Sequence, residues 1–285
     1  MKKIAIVTDS NSGISAEDAK KYEIHVLPMI FYVDGQECRE GISLTENEFF
    51  EALNRGAQVS SSQPSRAELI ELWEVLLESY DQVLHIPMSK VLSGGYSTAL
   101  AVSEEYGGRV QVVDGRRISL TQISMVRHAR KLAEAGMEAE QIREKLEEES
   151  LGASIYLTVE SLKYLKKGGR ISGAEALAGD ILNIKPIIQL KGGLLELHEK
   201  VRGRKKAKKA MEELLVEDWK YFSAKYPAEA VHIGIAHARA GQEALEWKEE
   251  MQKLFPGKEI EMSVLPLNIC CHVGPGTIGA GVYVD

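Results

Sequence analysis

Three short segments carry the residue types best able to do chemistry. The first is Ser89-Lys90-Val91-Leu92-Ser93-Gly94-Gly95-Tyr96, between the apolar run Gln82–Ile86 and a helix-like stretch around Thr98–Val102. A helix start leaves its first N–H groups without internal partners and carries the positive end of the helix dipole. Gly94 and Gly95 would let a ligand approach the backbone, and Ser93 adds a hydroxyl. Such a turn suits a carboxylate or a phosphate. An ordinary helix cap with no ligand is the competing reading. The second segment is Ser60-Ser61-Ser62-Gln63-Pro64-Ser65. Pro64 disfavours helix at the residue before it, so Ser61 and Ser62 are expected in an extended polar loop, with Ser65 as a helix cap. The third is His272-Val273-Gly274-Pro275-Gly276, read as a fixed loop that points an imidazole into a cleft. A satisfied core histidine is the alternative. Cys270 and Cys271 precede it, but no Cys-x-x-Cys and no partner set at ligand spacing accompanies them, which argues against zinc.

Two further loops offer charge. Thr8-Asp9-Ser10-Asn11-Ser12 closes the opening strand; Asp9 there has the chemistry to hold a metal, to act as an acid or base, or to fix the loop before a helix near Ser15. Lys166-Lys167-Gly168-Gly169-Arg170 places a planar guanidinium fork after a glycine pair, a good partner for phosphate or carboxylate and equally a solvent-facing side chain at a helix end. A basic cluster runs from Lys200 to Lys209 and reads as a solvated helix start or a docking site for an acidic partner. The chain lacks the phosphate loop Gly-x-x-x-x-Gly-Lys-[Ser/Thr], the dinucleotide fingerprint and the Gly-x-Ser-x-Gly elbow.

The elements that must position these loops alternate along the first half. Strands are expected at Ile4–Val7, Ile24–Val33, Val83–Ile86 and Val110–Val113. Helices are expected at Arg66–Ser79, where Leu69, Leu72, Trp73 and Leu76 share a face, and at Gln122–Glu134 and Ala139–Glu149. Alternation of this kind implies a parallel α/β sheet. The second half predicts a strand at Ser154–Val159, a short helix at Ser161–Lys167, a hairpin of Ile187–Leu190 with Leu194–Val201, and a helix over Lys205–Ala224. Val231–Ala236, a helix over Gly241–Phe255, Glu259–Leu265 and Ile278–Val284 complete a β-rich α/β unit. The expected fold is therefore α/β in two domains, residues 1–150 with a Rossmann-like parallel sheet and residues 151–285 with the β-rich sheet.

The 285 residues are 44% hydrophobic and 27% charged, with a net charge of −7. That balance is globular and argues against a general nucleic-acid binder. No apolar run is long enough to span a bilayer, and the N-terminus lacks signal-peptide character. Cys38, Cys270 and Cys271 are no disulfide framework, so a cytoplasmic protein is expected.

In fixed order, Thr8-Asp9-Ser10, Ser61-Ser62-Gln63-Pro64-Ser65, Leu92-Ser93-Gly94-Gly95-Tyr96, the stretch Leu162–Ser172, Leu182-Asn183-Ile184-Lys185-Pro186, Val201–Ala207 and His272-Val273-Gly274-Pro275-Gly276 resemble the DegV family of bacterial fatty-acid-binding proteins, which includes the lipid-binding subunits of fatty acid kinase. The resemblance implies two α/β domains with a long-chain fatty acid held at their interface, no cofactor and no catalysis by this chain alone. It implies an ATP-binding kinase subunit as partner, an acyltransferase of phospholipid synthesis downstream, and a cargo compatible with transient membrane contact. By matching motifs, Ser61, Ser62, Ser93, Gly94 and His272 would bind the carboxylate, and Arg170 and Arg202 would face the partner or its phosphate. The apolar stretch Ala174–Ile188 offers Ala178, Leu182, Ile184 and Ile188 as tail lining, or as plain core. The rival is a stand-alone lipid sensor, or a hydrolase or transferase using Asp9 and His272. The sequence departs from the family at Gly95, usually Thr, and at Asp114-Gly115-Arg116-Arg117, where Arg116 and Arg117 are expected in an exposed loop.

Overall fold

Six consecutive buried residues open the chain, and their burial on both faces sets the architecture around them. In a computed structural model, which describes residues 2–169 and 183–285, the chain forms two compact units, Met1–Ser150 and Leu151–Asp285. The first holds Ile4–Asp9 (β1), Ala16–Lys21 (α1), Ile24–Leu27 (β2), Ile30–Val33 (β3), Gln36–Arg39 (β4), Glu46–Asn54 (α2), Val59–Ser62 (β5), Arg66–Leu77 (α3), Gln82–Ile86 (β6), Gly95–Ser103 (α4), Val110–Val112 (β7), Leu120–Glu134 (α5) and Ala139–Glu148 (α6).

Strands β2, β1, β6 and β7 lie side by side in that order, all parallel. A parallel sheet needs cover on both faces, and the alternation of side chains supplies two cores. Ala5, Val7 and Val83 pack with Leu69, Trp73, Ala99 and Val102 from α3 and α4. Ile4, Ile6, Leu84 and Ile86 pack with Val126, Ala129, Ile142 and Leu146 from α5 and α6.

The expected single strand Ile24–Val33 is two strands in two sheets. Pro28 lies between them and brings no N–H to a ladder, so β2 ends before it. Strand β3 then starts a separate antiparallel sheet, order β4-β3-β5, packed through Phe31 against Phe49 of α2.

The second unit holds Ala153–Thr158 (β8), Leu162–Gly168 (α7), Ile184–Lys191 (β9), Leu194–Arg202 (β10), Arg204–Ser223 (α8), Val231–His237 (β11), Gly241–Leu254 (α9), Ile260–Val264 (β12), Leu267–Val273 (α10) and Ile278–Val284 (β13). Its sheet runs β10-β9-β8-β13-β11-β12, with β11 and β12 parallel and the other pairs antiparallel. Helices α8 and α9 bury Met211, Leu215, Phe222, Trp247 and Met251 against Ile233, Ile235, Ala280 and Val282. The fold is thus mixed α/β, with a parallel sheet and a separate β-rich sheet, as the alternation of elements predicts.

One polar residue lies inside the first core. His85 of β6 is 2% exposed, its ring edge-on to Trp73 at 5.6 Å, and neither ring nitrogen has a hydrogen-bond partner among the described residues. Burial without a counter-charge lowers its pKa to about 3. The unfolded chain takes a proton at this residue near the ordinary value of 6.5, whereas the fold takes one only near 3. Between those values the unfolded state binds more protons, so stability falls as pH falls. Denaturant melts should show a loss from this group of about 2 kcal/mol between pH 6.5 and pH 5, and His85→Leu should remove that component of the slope. An unchanged slope in the variant would contradict the assignment.

Candidate functional site

The parallel sheet dictates where a ligand can enter the first unit. From β1 the chain goes to β2 on one side, and β6 later pairs on the other. The loops leaving the carboxyl ends of β1 and β6 therefore diverge, and open α/β sheets bind ligands in the crevice at such a reversal. Asp9 stands at this point and is 4% exposed. Its Oδ1 accepts from the Asn11 N–H and from Gln122 Nε2, both at 3.1 Å, and its Oδ2 accepts from the Met88 N–H at 2.8 Å. Burial pushes its carboxyl above the usual range, while these donors pull the other way. Gln122 Nε2 also donates to Thr8 Oγ1 at 3.0 Å and to the Ile86 carbonyl at 3.2 Å. Asp9 is thus a brace that ties the β1 loop, the β6 loop and α5 together. No group of three or more His, Cys, Asp or Glu side chains able to hold a metal occurs among the described residues.

The turn after β6 hangs from this brace. The N–H groups of Leu92 and Ser93 donate to the Ser89 carbonyl at 3.0 and 3.2 Å, and the Ser89 N–H donates to the Arg117 carbonyl at 2.9 Å. Ser93 Oγ accepts from the Gly95 N–H at 3.2 Å. The hydroxyl is thereby held at the start of α4, and among the described residues its own proton is left to donate. Gly94 occupies the N-cap position, with no side-chain cap. Its lack of a side chain answers a neighbour: a Cβ on Gly94 would sit 2.4 Å from Gln63 Oε1. A Cβ on Gly95 would meet Ser93 Oγ at 3.4 Å and Gln63 Cβ at 4.0 Å, which are ordinary contacts.

Ser61 and Ser62 stand on β5, not in a loop. Ser61 pairs with Phe31 and Ser62 with Ile30 of β3. Successive strand residues face opposite ways, so the two hydroxyls leave on opposite faces of the small sheet. Ser61 shares the face of Phe31 and Cys38, and Ser62 that of Ile30 and Arg39. A ligand lying on one face therefore meets one of these side chains.

The expectation of an exposed Arg116-Arg117 loop is corrected. Arg117 is 2% exposed and donates through Nη2 to the Glu149 carbonyl at 2.9 Å. Its Nη1 also donates to the Thr121 carbonyl at 3.5 Å. The Arg116 side chain stays partly exposed, 3.5 Å from Asp114, which also pairs with Lys90 at 2.7 Å.

In the second unit His272 lies in the last turn of α10, a helix rather than the expected loop. Helix α10 packs on α7 so closely that a Cβ on Gly168 would fall 2.6 Å from His272 Nδ1. The imidazole is therefore fixed by a backbone surface. Ile188 is fully buried, Ile184 is half-buried, and Arg202 is exposed at the end of β10. The basic cluster splits: Arg204 and Lys208 turn to Glu243, at 2.9 and 3.8 Å, whereas Lys205 and Lys206 are exposed. Arg170, Ala178 and Leu182 lie outside the described residues.

Comparison with known proteins agrees with this fold along its whole length. A family model described as "Uncharacterised protein, DegV family" matches residues 3–285. A DegV domain-containing protein of Listeria innocua is 31% identical over 280 residues, covering 97% of each chain. The solved structure of DegV from Bacillus subtilis, described as a fatty acid binding protein, superposes with a TM-score of 0.87 at 31% identity and covers 100% of both chains. A DegV family protein from Thermus thermophilus, described by its fatty acid binding, gives 0.87 at 30% identity over 99% of this chain and 100% of that one.

The turn yields opposite signs for its two glycines. Gly94→Ala should lower stability by up to about 1 kcal/mol, because the Gln63 amide that bonds Thr98 must shift. Gly95→Ala should raise it by about 0.5–1 kcal/mol, since the methyl fits and the unfolded chain loses freedom. Asp9→Ala should cost about 3 kcal/mol or more by leaving several buried donors unpaired. Thermal and urea melts of the three variants check these values.

Proposed function

The chain belongs to the DegV family, and on that premise we propose that it binds a long-chain fatty acid and presents the carboxylate to a separate ATP-dependent kinase subunit for acyl-phosphate formation. The observation that carries the first half is the full-length likeness to solved DegV proteins described as fatty-acid binding. In this reading the carboxylate is held by Ser93, the Gly94 turn and Ser61. The start of α4 supplies the dipole and the hydroxyls supply neutral donors. A tail of ~14 methylenes contributes roughly 11 kcal/mol before ordering and desolvation take back several, so tight binding needs no buried ion pair. The resemblance also assigns His272 to the headgroup and Ile184 and Ile188 to the tail.

Neutral donors fit the proposed chemistry. In the kinase step a carboxylate oxygen attacks the γ-phosphorus of ATP and the bond to the ADP oxygen breaks. A carboxylate locked to an arginine would be a poorer nucleophile than one held by hydroxyls. The exposed Arg202, with Arg170, is assigned to the partner or its phosphate, and the acyl-phosphate would pass to an acyltransferase. The proposed ATP-dependent step is assigned to the cytoplasm; no described helix is long and apolar enough to cross a membrane.

Lipid extracted from the purified protein should contain fatty acid by mass spectrometry, and delipidated protein should take it up again. Ser93→Ala should weaken uptake about three- to tenfold. Protein that neither carries nor takes up fatty acid would refute the proposal. Arg202→Ala should leave affinity unchanged and slow phosphorylation by the kinase subunit; equal turnover would remove Arg202 from that contact.

A further inference from the structure

In the sequence Gln63 is one member of the polar segment Ser60–Ser65. In the fold its side chain connects the two hydroxyl-bearing elements. It follows Ser62 at the end of β5 and reaches across to α4, where Nε2 donates to Thr98 Oγ1 at 2.8 Å. Its Oε1 lies where a Cβ on Gly94 would go, so a side chain there would push the amide aside, and its Cβ lies over Gly95. Thr98 is on the first turn of α4, and its N–H donates to the Gly94 carbonyl at 3.0 Å. The amide thus spans the same residues whose N–H groups and hydroxyl make up the Ser93 turn.

The far side of Gln63 is equally fixed. Pro64 restricts the backbone next to it. Ser65 caps α3 in a reciprocal box with Glu68, whose carboxylate also accepts from Arg39 Nε at 2.8 Å and Nη2 at 2.7 Å. Arg39 is on β4, in the sheet that carries Ser61. A side chain anchored at one end by this sheet and at the other by α4 sets the spacing between the Ser61 strand and the Ser93 turn.

We infer that Gln63 is the positioning residue of the headgroup site: through Gly94 and Thr98 it holds the Ser93 hydroxyl in register with Ser61. The inference rests on the fatty-acid reading above. It also reassigns Gly94, whose missing side chain accommodates the Gln63 amide rather than a ligand.

The experiment is a double-mutant cycle on fatty-acid affinity. Gln63→Ala and Thr98→Val each remove one end of the bond; Thr98→Val keeps the side-chain shape, so it reports on the bond even if Gln63→Ala perturbs the loop. Each should weaken binding about three- to tenfold. Combined with Ser93→Ala, neither should weaken it much further, because both act through Ser93. A purely structural role for Gln63 would give multiplicative losses with Ser93→Ala. Full additivity, or wild-type affinity in Gln63→Ala and Thr98→Val, overturns the inference while leaving fatty-acid binding intact; absence of binding by the wild-type protein overturns both. A readout that needs no lipid accompanies it: Gly94→Ala should destabilise the wild-type chain and be tolerated beside Gln63→Ala, which removes the atom its methyl would strike. Equal destabilisation in both backgrounds also counts against the assignment.

Discussion

A buried carboxylate at the end of β1 is the constraint on which the first unit depends. Removing a charge from water costs several kcal/mol, and only donors aimed at it offset that cost. Asp9 obtains them from three different segments: its own loop through Asn11, the β6 loop through Met88 and α5 through Gln122. None of the three segments can move without exposing the others to an unpaired charge. The turn that carries Ser93 therefore leaves β6 in one direction, and α5 starts beside it. The same geometry makes Asp9 a brace, both of its oxygens accepting from donors of the surrounding fold.

The fold was largely legible where burial imposes a period, and illegible where pairing does. Strands β1 and β6 and helices α3, α5 and α6 carry their own pattern, because each buries a face against the sheet. Strand β5 has no such pattern. Val59-Ser60-Ser61-Ser62 is extended because β3 supplies its hydrogen-bond partners, and serine hydroxyls gave no hint of it. Helix α10 hid for a different reason: seven residues, Leu-Asn-Ile-Cys-Cys-His-Val, are too short to display a helical period. Helix α2 was within reach, since Thr45-x-x-Glu48 before Phe49 and Phe50 is a capping-box signature, and the box forms. The burial of Arg117 had no sequence signal at all, because its acceptors include the backbone carbonyl of Glu149, far along the chain.

Among the candidate site residues, type proved more legible than direction. Hydroxyls, glycines and an imidazole could be recognised as polar groups in turns, but the face each presents comes from its element. Ser61 and Ser62 are adjacent in sequence and opposed in space. Gly94 and Gly95 look alike in sequence, yet only Gly94 has an atom where a Cβ would go. His272 takes its fixed position from Gly168, more than a hundred residues earlier, through the contact of α7 with α10.

These directions bear on the kind of molecule the first unit can hold. Ser61 stands on the face of β5 that also carries Phe31 and Cys38, both buried, with Phe31 packed on Phe49 of α2. The Ser93 turn, in contrast, offers a hydroxyl at the start of α4. In the proposed reading an amphiphile would set its carboxylate against these two hydroxyls, while each methylene buried elsewhere contributes about 0.8 kcal/mol. Gln63, which follows β5 and bonds Thr98 of α4, is the residue that this reading makes responsible for the register between the two hydroxyls.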